Sequence, residues 1–337
     1  MTQPLGRALT TTAVLALALA IAGCGGRQTQ QTTDTATSVT CAVSTPTRIS
    51  IATGNTTGVY YILGNAYAEQ LSAATDGNLK ATAAETGASV QNIQQLVAGQ
   101  YQVAFSLFDT ATDAVNGTAS FPSPQPVQAL ARIYDNYTHV LVRADSGINS
   151  VADMKNKRIS TGSPKSGTEV IATRLLAAAG LNPDTDITAQ RLDLTKSIDG
   201  MKDASIDALI WSGGLPTPGV TDLFTTLGTR VKFIDITPQL ARMQQINPAY
   251  QPATIPATTY HTPTDIPTIG VPNVLLVRND MNPPTACVLT KTLFDKKDEL
   301  TKANAAATGL NLNTARNTNP VPLNPGAAAA LDLLGAK

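Results

Sequence analysis

Short apolar runs alternate with amphipathic stretches along most of this chain, which is the pattern of an α/β protein. Apolar residues crowd Thr47–Ala52, Leu79–Ala84 and Tyr101–Phe108, so each run predicts a strand. Helical spacing follows at Tyr60–Ala73 and Val90–Ala98. The first third of the body is therefore predicted to alternate between strands and helices.

The same alternation continues toward the C-terminus. Further strands are predicted at Val127–Tyr134, Thr138–Arg143, from Ile159 onward, Ile187–Leu192, Ala208–Trp211, 231–236 and Val271–Arg278. Further helices are predicted at Ser150–Lys155, Thr168–Ala179, Thr195–Asp203 and Thr290–Ala303. Proline and threonine fill Asn247–Pro267, which predicts an extended crossing segment rather than a domain of its own.

Polar turns follow many of the predicted strands. Five of them are expected to share one ligand site, because ligands collect beyond the carboxyl ends of strands in open α/β sheets. These turns are Thr53–Gly58, Glu85–Ser89, Phe108–Asp109, Thr161–Thr168 and Trp211–Gly214. Two chain crossings, Thr138–Arg143 and Val271–Arg278, predict a hinged protein of two lobes. The alternative is that the turns are ordinary connections of a sheet.

The turn Thr161–Thr168 has the chemistry of an anion site. Hydroxyl groups of Ser166 and Thr168 stand with backbone N–H groups at the start of a predicted helix, where the helix dipole is positive. Thr168 and Glu169 occupy the positions at which a phosphate loop needs Lys and Ser or Thr, so nucleotide chemistry is not expected. Lys165 is either an additional charge at the ligand or a solvated loop residue.

Other side chains are candidates for contact with the body of a ligand. Tyr60, Tyr61 and Trp211 offer ring faces and polar tips, although a tryptophan at a strand end also serves as ordinary core. Asp109 either meets an ammonium group or caps the helix that starts near Thr110. Glu85 is open to the same two interpretations.

Charge and composition narrow the functional class. The chain has 24 basic and 24 acidic residues and only 4% aromatic residues. The sequence has neither the basic stripe nor the aromatic platform that would bind nucleic acid. Its cysteines and histidines do not have the spacing of metal ligands. About 290 residues follow the N-terminal region, which is enough for two domains.

The N-terminus has the pattern of a lipoprotein signal peptide. Arg7 precedes the apolar stretch Ala13–Ala22, which is too short for a spanning helix. Cys24 after Ile-Ala-Gly resembles a bacterial lipobox, so residues 1–23 are predicted to be removed and Cys24 to be lipidated. Residues 24–44 are predicted to form a flexible tether. The protein is expected outside the cytoplasm, attached to the cell membrane by its lipid.

Cys41 and Cys287 remain as the two other cysteines. Thiols outside the cytoplasm tend to pair, so a disulfide between them is predicted. The alternative is two separate buried thiols.

Four segments resemble one family, the TAXI family of TRAP transporter solute receptors. They are Thr57–Tyr61, Glu85–Asn92, Gly162–Glu169 and Trp211–Pro218, and the resemblance covers roughly residues 46–305. It implies a two-lobed type II periplasmic-binding fold that captures a small organic acid or an amino acid such as glutamate. It also implies delivery to the membrane subunits of a sodium-driven TRAP permease. No cofactor is predicted. Lys165 and Ala88 depart from the small residue and the glycine usual at those positions.

The resemblance and the turns together define the expected domains and site. Lobe I is predicted to comprise residues 45–140 and 274–337, and lobe II residues 141–273. The residues predicted to bind the ligand are Thr57, Gly58, Tyr60, Tyr61, Glu85, Thr86, Ser89, Asp109, Thr161, Gly162, Ser166, Gly167, Thr168, Trp211 and Gly213.

An enzyme is the main alternative from another class. Lys165-Ser166-Gly167 resembles a triplet of penicillin-binding proteins, but neither the Ser-x-x-Lys tetrad nor a Gly-x-Ser-x-Gly elbow occurs. His139 and His261 are the only histidines and do not suit a Ser/His site. No catalytic residue is therefore predicted. A receptor of the same fold for an ABC importer, or a sensor, is the closer alternative.

Overall fold

The computed structural model describes residues 39–337. The predicted signal peptide, the lipidation of Cys24 and most of the tether lie outside the described residues. The strands are β1 Thr47–Ala52, β2 Leu79–Ala84, β3 Val103–Leu107, β4 Val127–Arg143, β5 Arg158–Ser160, β6 Thr188–Gln190, β7 Ala208–Gly213, β8 Val231–Phe233, β9 Gln251–Ile255 and β10 Ile266–Arg278. The helices are α1 Val59–Ala74, α2 Ser89–Val97, α3 Phe108–Asn116, α4 Gly167–Ala178, α5 Leu194–Lys202, α6 Pro218–Leu227, α7 Leu240–Ile246, α8 Ala257–Tyr260, α9 Pro283–Asp295, α10 Lys297–Ala303, α11 Leu312–Ala315 and α12 Pro325–Leu333.

One mixed sheet runs through the described chain. Its strand order is β2-β1-β3-β10-β4-β7-β5-β6, with β8 paired to β4 and β9 paired to β10. β1 is parallel to β2 and β3, and β5 is parallel to β6 and β7. The long central strands β10 and β4 are antiparallel to each other and to their outer neighbours β3 and β7. The α/β class predicted from the sequence is therefore confirmed.

The two ends of the sheet have separate cores, and we call them the first half and the second half. The first half comprises β1–β3, α1–α3 and α9–α12, and its core includes Ile51 and Leu289. The second half comprises β5–β9 and α4–α8, and its core includes Ile159 and Leu175. Because β4 and β10 contribute residues to both cores, these two strands connect the halves.

Helix α1 shows how sequence spacing becomes packing. Leu63, Tyr67 and Leu71 recur every four residues and are all buried. The Tyr67 hydroxyl donates a hydrogen bond of 2.6 Å to the carbonyl of Leu289. Burying side chains of this size stabilises the fold by roughly 1.5–3 kcal/mol each, so α1 is held firmly on the sheet.

The predicted break between two strands after Tyr134 was wrong. Residues 127–143 form the single strand β4, in which Asp135 and Asn136 pair with Pro272 and Val271 of β10. The polar residues suggested a connection, but their backbone groups continue the ladder with the neighbouring strand. Strand pairing thus outweighs the local polarity of these residues.

Two C-terminal predictions also need correction. Residues 247–267 contain strand β9 and the short helix α8 as well as extended chain. Pro252 is compatible with β9 because an edge strand tolerates a residue without an N–H group. The single helix predicted at Thr290–Ala303 is instead α9 and α10, which are interrupted at Lys296. Helix α9 starts earlier than predicted, with proline at its first turn.

A disulfide joins Cys41 to Cys287, the pairing that the sequence predicts. Their Cα atoms are 5.0 Å apart. The bond attaches the segment before β1 to helix α9. Among the described residues, no helix is both long enough and apolar enough to cross a membrane.

Candidate functional site

Three helices begin at one cavity between the first and second halves. Gly58 and Val59 at the start of α1, Ala88 and Ser89 at the start of α2, and the first residues of α4 all line it. The N-cap residues of α1 and α2, Gly58 and Ala88, make no side-chain capping hydrogen bond. Because the first N–H groups of a helix lack partners within the helix, the cavity is surrounded by positive dipole ends.

Hydroxyl groups in the cavity wall add further donors. Ser89 Oγ accepts a hydrogen bond of 3.0 Å from the N–H of Leu107, and Ser166 Oγ accepts one of 2.9 Å from the N–H of Glu169. Thr168 Oγ1 accepts one of 3.2 Å from the backbone of Ser212. Each oxygen is thus used as an acceptor, and each hydroxyl proton remains available for donation.

The central strands contribute a chain of neutral polar groups. The Tyr60 hydroxyl donates to Asn273 Oδ1 at 2.5 Å, and Asn273 Nδ2 donates to Asn136 Oδ1 at 2.8 Å. Asn136 Nδ2 in turn donates to Ser212 Oγ at 3.4 Å. Burial raises the pKa of Tyr60, so its hydroxyl stays protonated and remains a donor. The chain connects a first-half helix to second-half strand β7 through β10 and β4.

The halves are in direct contact around the cavity. Asn55 Nδ2 lies 3.4 Å from Ser163 Oγ, and the N–H of Gln91 donates to the carbonyl of Lys165 at 3.0 Å. The cavity volume is about 30 Å³. Since a single water needs about 10–15 Å³ of such space, only about two or three waters fit. An organic acid therefore requires the halves to separate or lining side chains to move.

The cavity lining is uncharged. Among the described residues that form it, there is no Lys, Arg, Asp, Glu or His side chain. Negative charge would have to be stabilised by helix dipoles, amides and hydroxyls.

The structure brings together about half of the residues predicted to bind the ligand. Eight of these predicted residues line the cavity: Gly58, Tyr60, Ser89, Ser166, Gly167, Thr168, Trp211 and Gly213. They come from α1, α2, α4 and β7, which lie far apart in sequence and meet through the sheet order. Whether they bind a ligand stays a prediction.

The other predicted residues lie outside the lining. They are Thr57, Tyr61, Glu85, Thr86, Asp109, Thr161 and Gly162. Glu85 is exposed and Tyr61 is half-buried, whereas Thr86 donates to Asn92 Oδ1 at 2.6 Å. Gly162, with a positive φ of 92°, shapes the turn beneath Thr168.

Asp109 has a different environment from the predicted one. It is fully buried in the first turn of α3 and pairs with Arg174 rather than lining the cavity. Its Oδ1 accepts the N–H of Thr110 at 2.7 Å, but α3 already starts at Phe108. No local sequence signal indicated this ion pair, because Arg174 lies 65 residues away in the second half of the fold.

Sequence reasoning missed several lining residues. They are Gly54, Asn55, Val59, Ala88, Leu107, Asn136, Ser212 and Gly214. Most lie in or next to the predicted turns, so including whole turns would have found them. Asn136 had no comparable local signal, because it lies in the middle of β4 and reaches the cavity through the crossing of the central strands.

A family model matches nearly all of the described part of the chain. The model described as NMT1-like family matches residues 51–332.

Several solved structures are similar to this fold. One is the binding-protein component of an ABC phosphonate transporter from Pseudomonas aeruginosa, at 14% identity and a TM-score of 0.54, covering 78% of this chain and 79% of that one. Another, from Bordetella bronchiseptica RB50, has 19% identity and a TM-score of 0.51, covering 86% and 89%. The alkanesulfonate-binding protein SsuA from Xanthomonas axonopodis pv. citri has 17% identity and a TM-score of 0.48, covering 86% and 84%. The first two likenesses show a shared fold.

Proposed function

The chain belongs to the NMT1-like family, a family of periplasmic solute-binding proteins, and we propose that it captures a small organic acid for a TRAP-type secondary transporter. The protein is an extracytoplasmic solute-binding receptor. The TRAP assignment rests on the four segments that resemble TAXI receptors. Ligand capture needs no covalent chemistry, so the proposed role is binding and delivery.

The observation that carries the ligand class is the convergence of three helix N-termini on an uncharged cavity. The positive dipole ends of α1, α2 and α4 and the protons of Ser89, Ser166 and Thr168 all suit an acceptor-rich ligand. A carboxylate has only acceptors when ionised. The donor set therefore supports capture of an anion.

The proposal includes glutamate-like ligands but ranks them below acids that lack an amino group. An ammonium group is normally paired with a carboxylate when it is buried. Among the described lining residues there is no acidic side chain to supply that partner, and Asp109 is already paired with Arg174. We therefore expect a dicarboxylate such as 2-oxoglutarate to bind more tightly than glutamate.

A receptor for an ABC importer is the second candidate. The structural neighbour from Pseudomonas aeruginosa is described as part of an ABC phosphonate transporter. A phosphonate is also an oxyanion, and the same donors would suit it. The transported class therefore has to be decided by experiment.

Isothermal titration calorimetry with a defined ligand panel tests the proposal. The panel contains 2-oxoglutarate, succinate, glutamate, methylphosphonate, inorganic phosphate and glucose. Saturable binding of the carboxylates, strongest for those without an amino group, supports the proposed ligand class. Binding of methylphosphonate alone favours the ABC candidate, and binding of glucose alone contradicts the anion assignment.

Transport and anchoring need separate tests in cells. Uptake of the identified ligand that collapses when the sodium gradient is removed supports a TRAP partner, whereas uptake driven by ATP contradicts it. For the anchor, metabolic labelling with a fatty acid should mark the protein, and Cys24→Ala should abolish the label. Unchanged labelling of Cys24→Ala would remove lipidation at Cys24.

A further inference from the structure

A buried group of charged side chains connects the two halves away from the cavity lining. Arg174 of α4 donates from Nη1 to Asp109 Oδ2 at 2.9 Å and from Nη2 to Asp113 Oδ2 at 2.6 Å. Asp109 is fully buried, and Arg174 and Asp113 are 8% and 7% exposed. Both carboxylates belong to α3 of the first half, so one guanidinium bridges the halves.

Other buried groups complete the environment of Asp109. Tyr250, which precedes β9, donates from its hydroxyl to Asp109 Oδ2 at 2.5 Å and accepts from Arg174 Nη1 at 3.1 Å. Asn247 Nδ2 donates to the Asp109 carbonyl at 3.3 Å. The contacts of Asp109 therefore come from two separate segments of the second half.

Helical geometry ties this group to the cavity. Residues three and seven positions apart share a face of a helix, so Gly167, Val170 and Arg174 form one face of α4. Gly167 lines the cavity, and Val170 packs against the first-half core. On α3, Asp109 and Asp113 are four residues apart and also share a face. The two helices thus meet along a line that runs from the cavity to the ion pairs.

The ion pairs of Arg174 with Asp109 and Asp113 exist only while the two halves are in contact. Separation of α3 from α4 would leave Arg174 and both carboxylates without these partners, and water would have to replace them. A planar guanidinium that contacts two carboxylates also fixes orientation, which a single point charge does not. The group therefore constrains how α4 sits on α3.

We propose that Arg174 is a positioning residue that holds the N-terminus of α4 at the cavity wall when the two halves are closed. The residue does not touch a ligand and acts through Asp109 and Asp113. The role of Arg174 in ligand capture rests on the proposed function. The effect of Arg174 on closure of the halves does not rest on it, and closure can be measured without a ligand.

The single tryptophan of the chain reports closure. Trp211 lies in β7 of the second half, and a Cβ atom built on Gly58 of the first half would lie 3.3 Å from its ring. Separation of the halves removes this contact and exposes the indole to water. Its emission should then move to longer wavelength, and acrylamide should quench it more strongly.

The test compares three variants of the whole protein. Arg174→Met removes the bridge and leaves two buried carboxylates. A balanced variant, Arg174→Met with Asp109→Asn and Asp113→Asn, removes the charges together and guards against loss of folding. The matched control is Arg158→Met. It removes an ion pair within the second half, in which Arg158 Nη2 lies 2.6 Å from Asp207 Oδ1.

The proposal predicts that the balanced variant melts close to the wild type but shows red-shifted, more quenchable Trp211 emission. Arg158→Met should leave the emission unchanged. Wild-type emission and quenching in a folded balanced variant would overturn the proposal and leave the group a purely stabilising role. A change in Arg158→Met as large as that in the balanced variant would also overturn it. Because no ligand is added, failure of the proposed ligand class would not affect this result.

Discussion

At the scale of single residues, the candidate site is lined by three hydroxyl groups that each already accept one hydrogen bond. Ser89, Ser166 and Thr168 each accept a backbone N–H group. Each hydroxyl keeps its proton for donation, so we expect the wall to favour a ligand that is rich in acceptors. The proposed selectivity for anions would therefore not depend on a charged side chain in the described lining.

Thr168→Ala is expected to weaken binding of a carboxylate by about tenfold, or about 1.4 kcal/mol. The variant removes a donor from the cavity and leaves the Ser212 N–H without its acceptor at 3.2 Å. Thr168→Ser keeps the hydroxyl and should bind like the wild type. Calorimetry measures the affinities, and thermal melting checks the fold. An unchanged dissociation constant for Thr168→Ala would move the anion site elsewhere.

His139 is expected to make stability fall in acid. It is buried in β4, its Nδ1 lies 2.9 Å from the Tyr137 carbonyl, and its Nε2 lies 2.9 Å from the Tyr260 hydroxyl. Burial lowers its pKa from 6.5 to about 4. The folded protein therefore binds this proton less readily than the unfolded chain. The stability contributed by neutral His139 is full above pH 6.5 and declines as the pH falls toward about 4.

Urea unfolding at a series of pH values checks this prediction. Between those two pKa values the wild type should lose about 1.4 kcal/mol per pH unit through this one group. His139→Gln should decline less steeply, while His261→Gln, which changes an exposed histidine, should follow the wild type. Identical slopes for the wild type and His139→Gln would contradict the assignment.

At the scale of elements, the N-termini of α1, α2 and α4 are the proposed ligand-binding groups. Gly167 lets α4 approach the first half closely, because a Cβ atom there would clash with Leu107 and lie 2.7 Å from Ser89 Oγ. Both of these residues also line the cavity. Helix position and cavity shape therefore depend on the same contact.

Gly167→Ala should weaken ligand binding although alanine is the better helix former. The added methyl group forces α4 away from Ser89 and Leu107, and we expect a loss of affinity of at least about tenfold, or about 1.4 kcal/mol. Thr173→Ala, on the exposed face of the same helix, is the control. Calorimetry with the identified ligand measures both variants. Wild-type affinity in Gly167→Ala would show that the close approach is not required.

At the scale of the whole molecule, two long strands and one disulfide organise the chain. β4 and β10 pass between two cores, as expected of a hinge. We retain the boundaries of lobe I and lobe II as a proposal. The small cavity volume of about 30 Å³ supports opening at this connection, and solution scattering with and without ligand would measure it.

Loss of the disulfide should destabilise the first half. Cys41 and Cys287 are 246 residues apart in sequence, and closing a loop of this length stabilises the folded state relative to the unfolded chain by about 5.5 kcal/mol in the chain-entropy description. Cys41→Ser combined with Cys287→Ser should therefore melt at a lower temperature. Adding a reductant should lower the melting temperature of the wild type but not of the double variant. Two free thiols in the unreduced wild type would contradict the bond.

The sequence by itself determined the local helices and strands. It also determined the disulfide, for which few alternative pairings existed. Apolar runs such as Thr47–Ala52 and Leu79–Ala84 became strands with the predicted bounds, because local spacing and propensity act over a few residues. The pairing of Cys41 with Cys287 followed from there being only two cysteines after Cys24. The turn residues of the site were recognisable for the same reason, since helix starts carry their own polar signals.

Only the tertiary structure decided which of these residues meet. Asp109 and Thr168 both looked like ligand contacts, yet Asp109 pairs with Arg174, while Thr168 lines the cavity. Asn136 reached the cavity because β4 continues through a polar stretch to pair with β10. Such contacts join residues tens to hundreds of positions apart, and their geometry depends on strand order and helix placement. Local sequence patterns contain no measure of those distances.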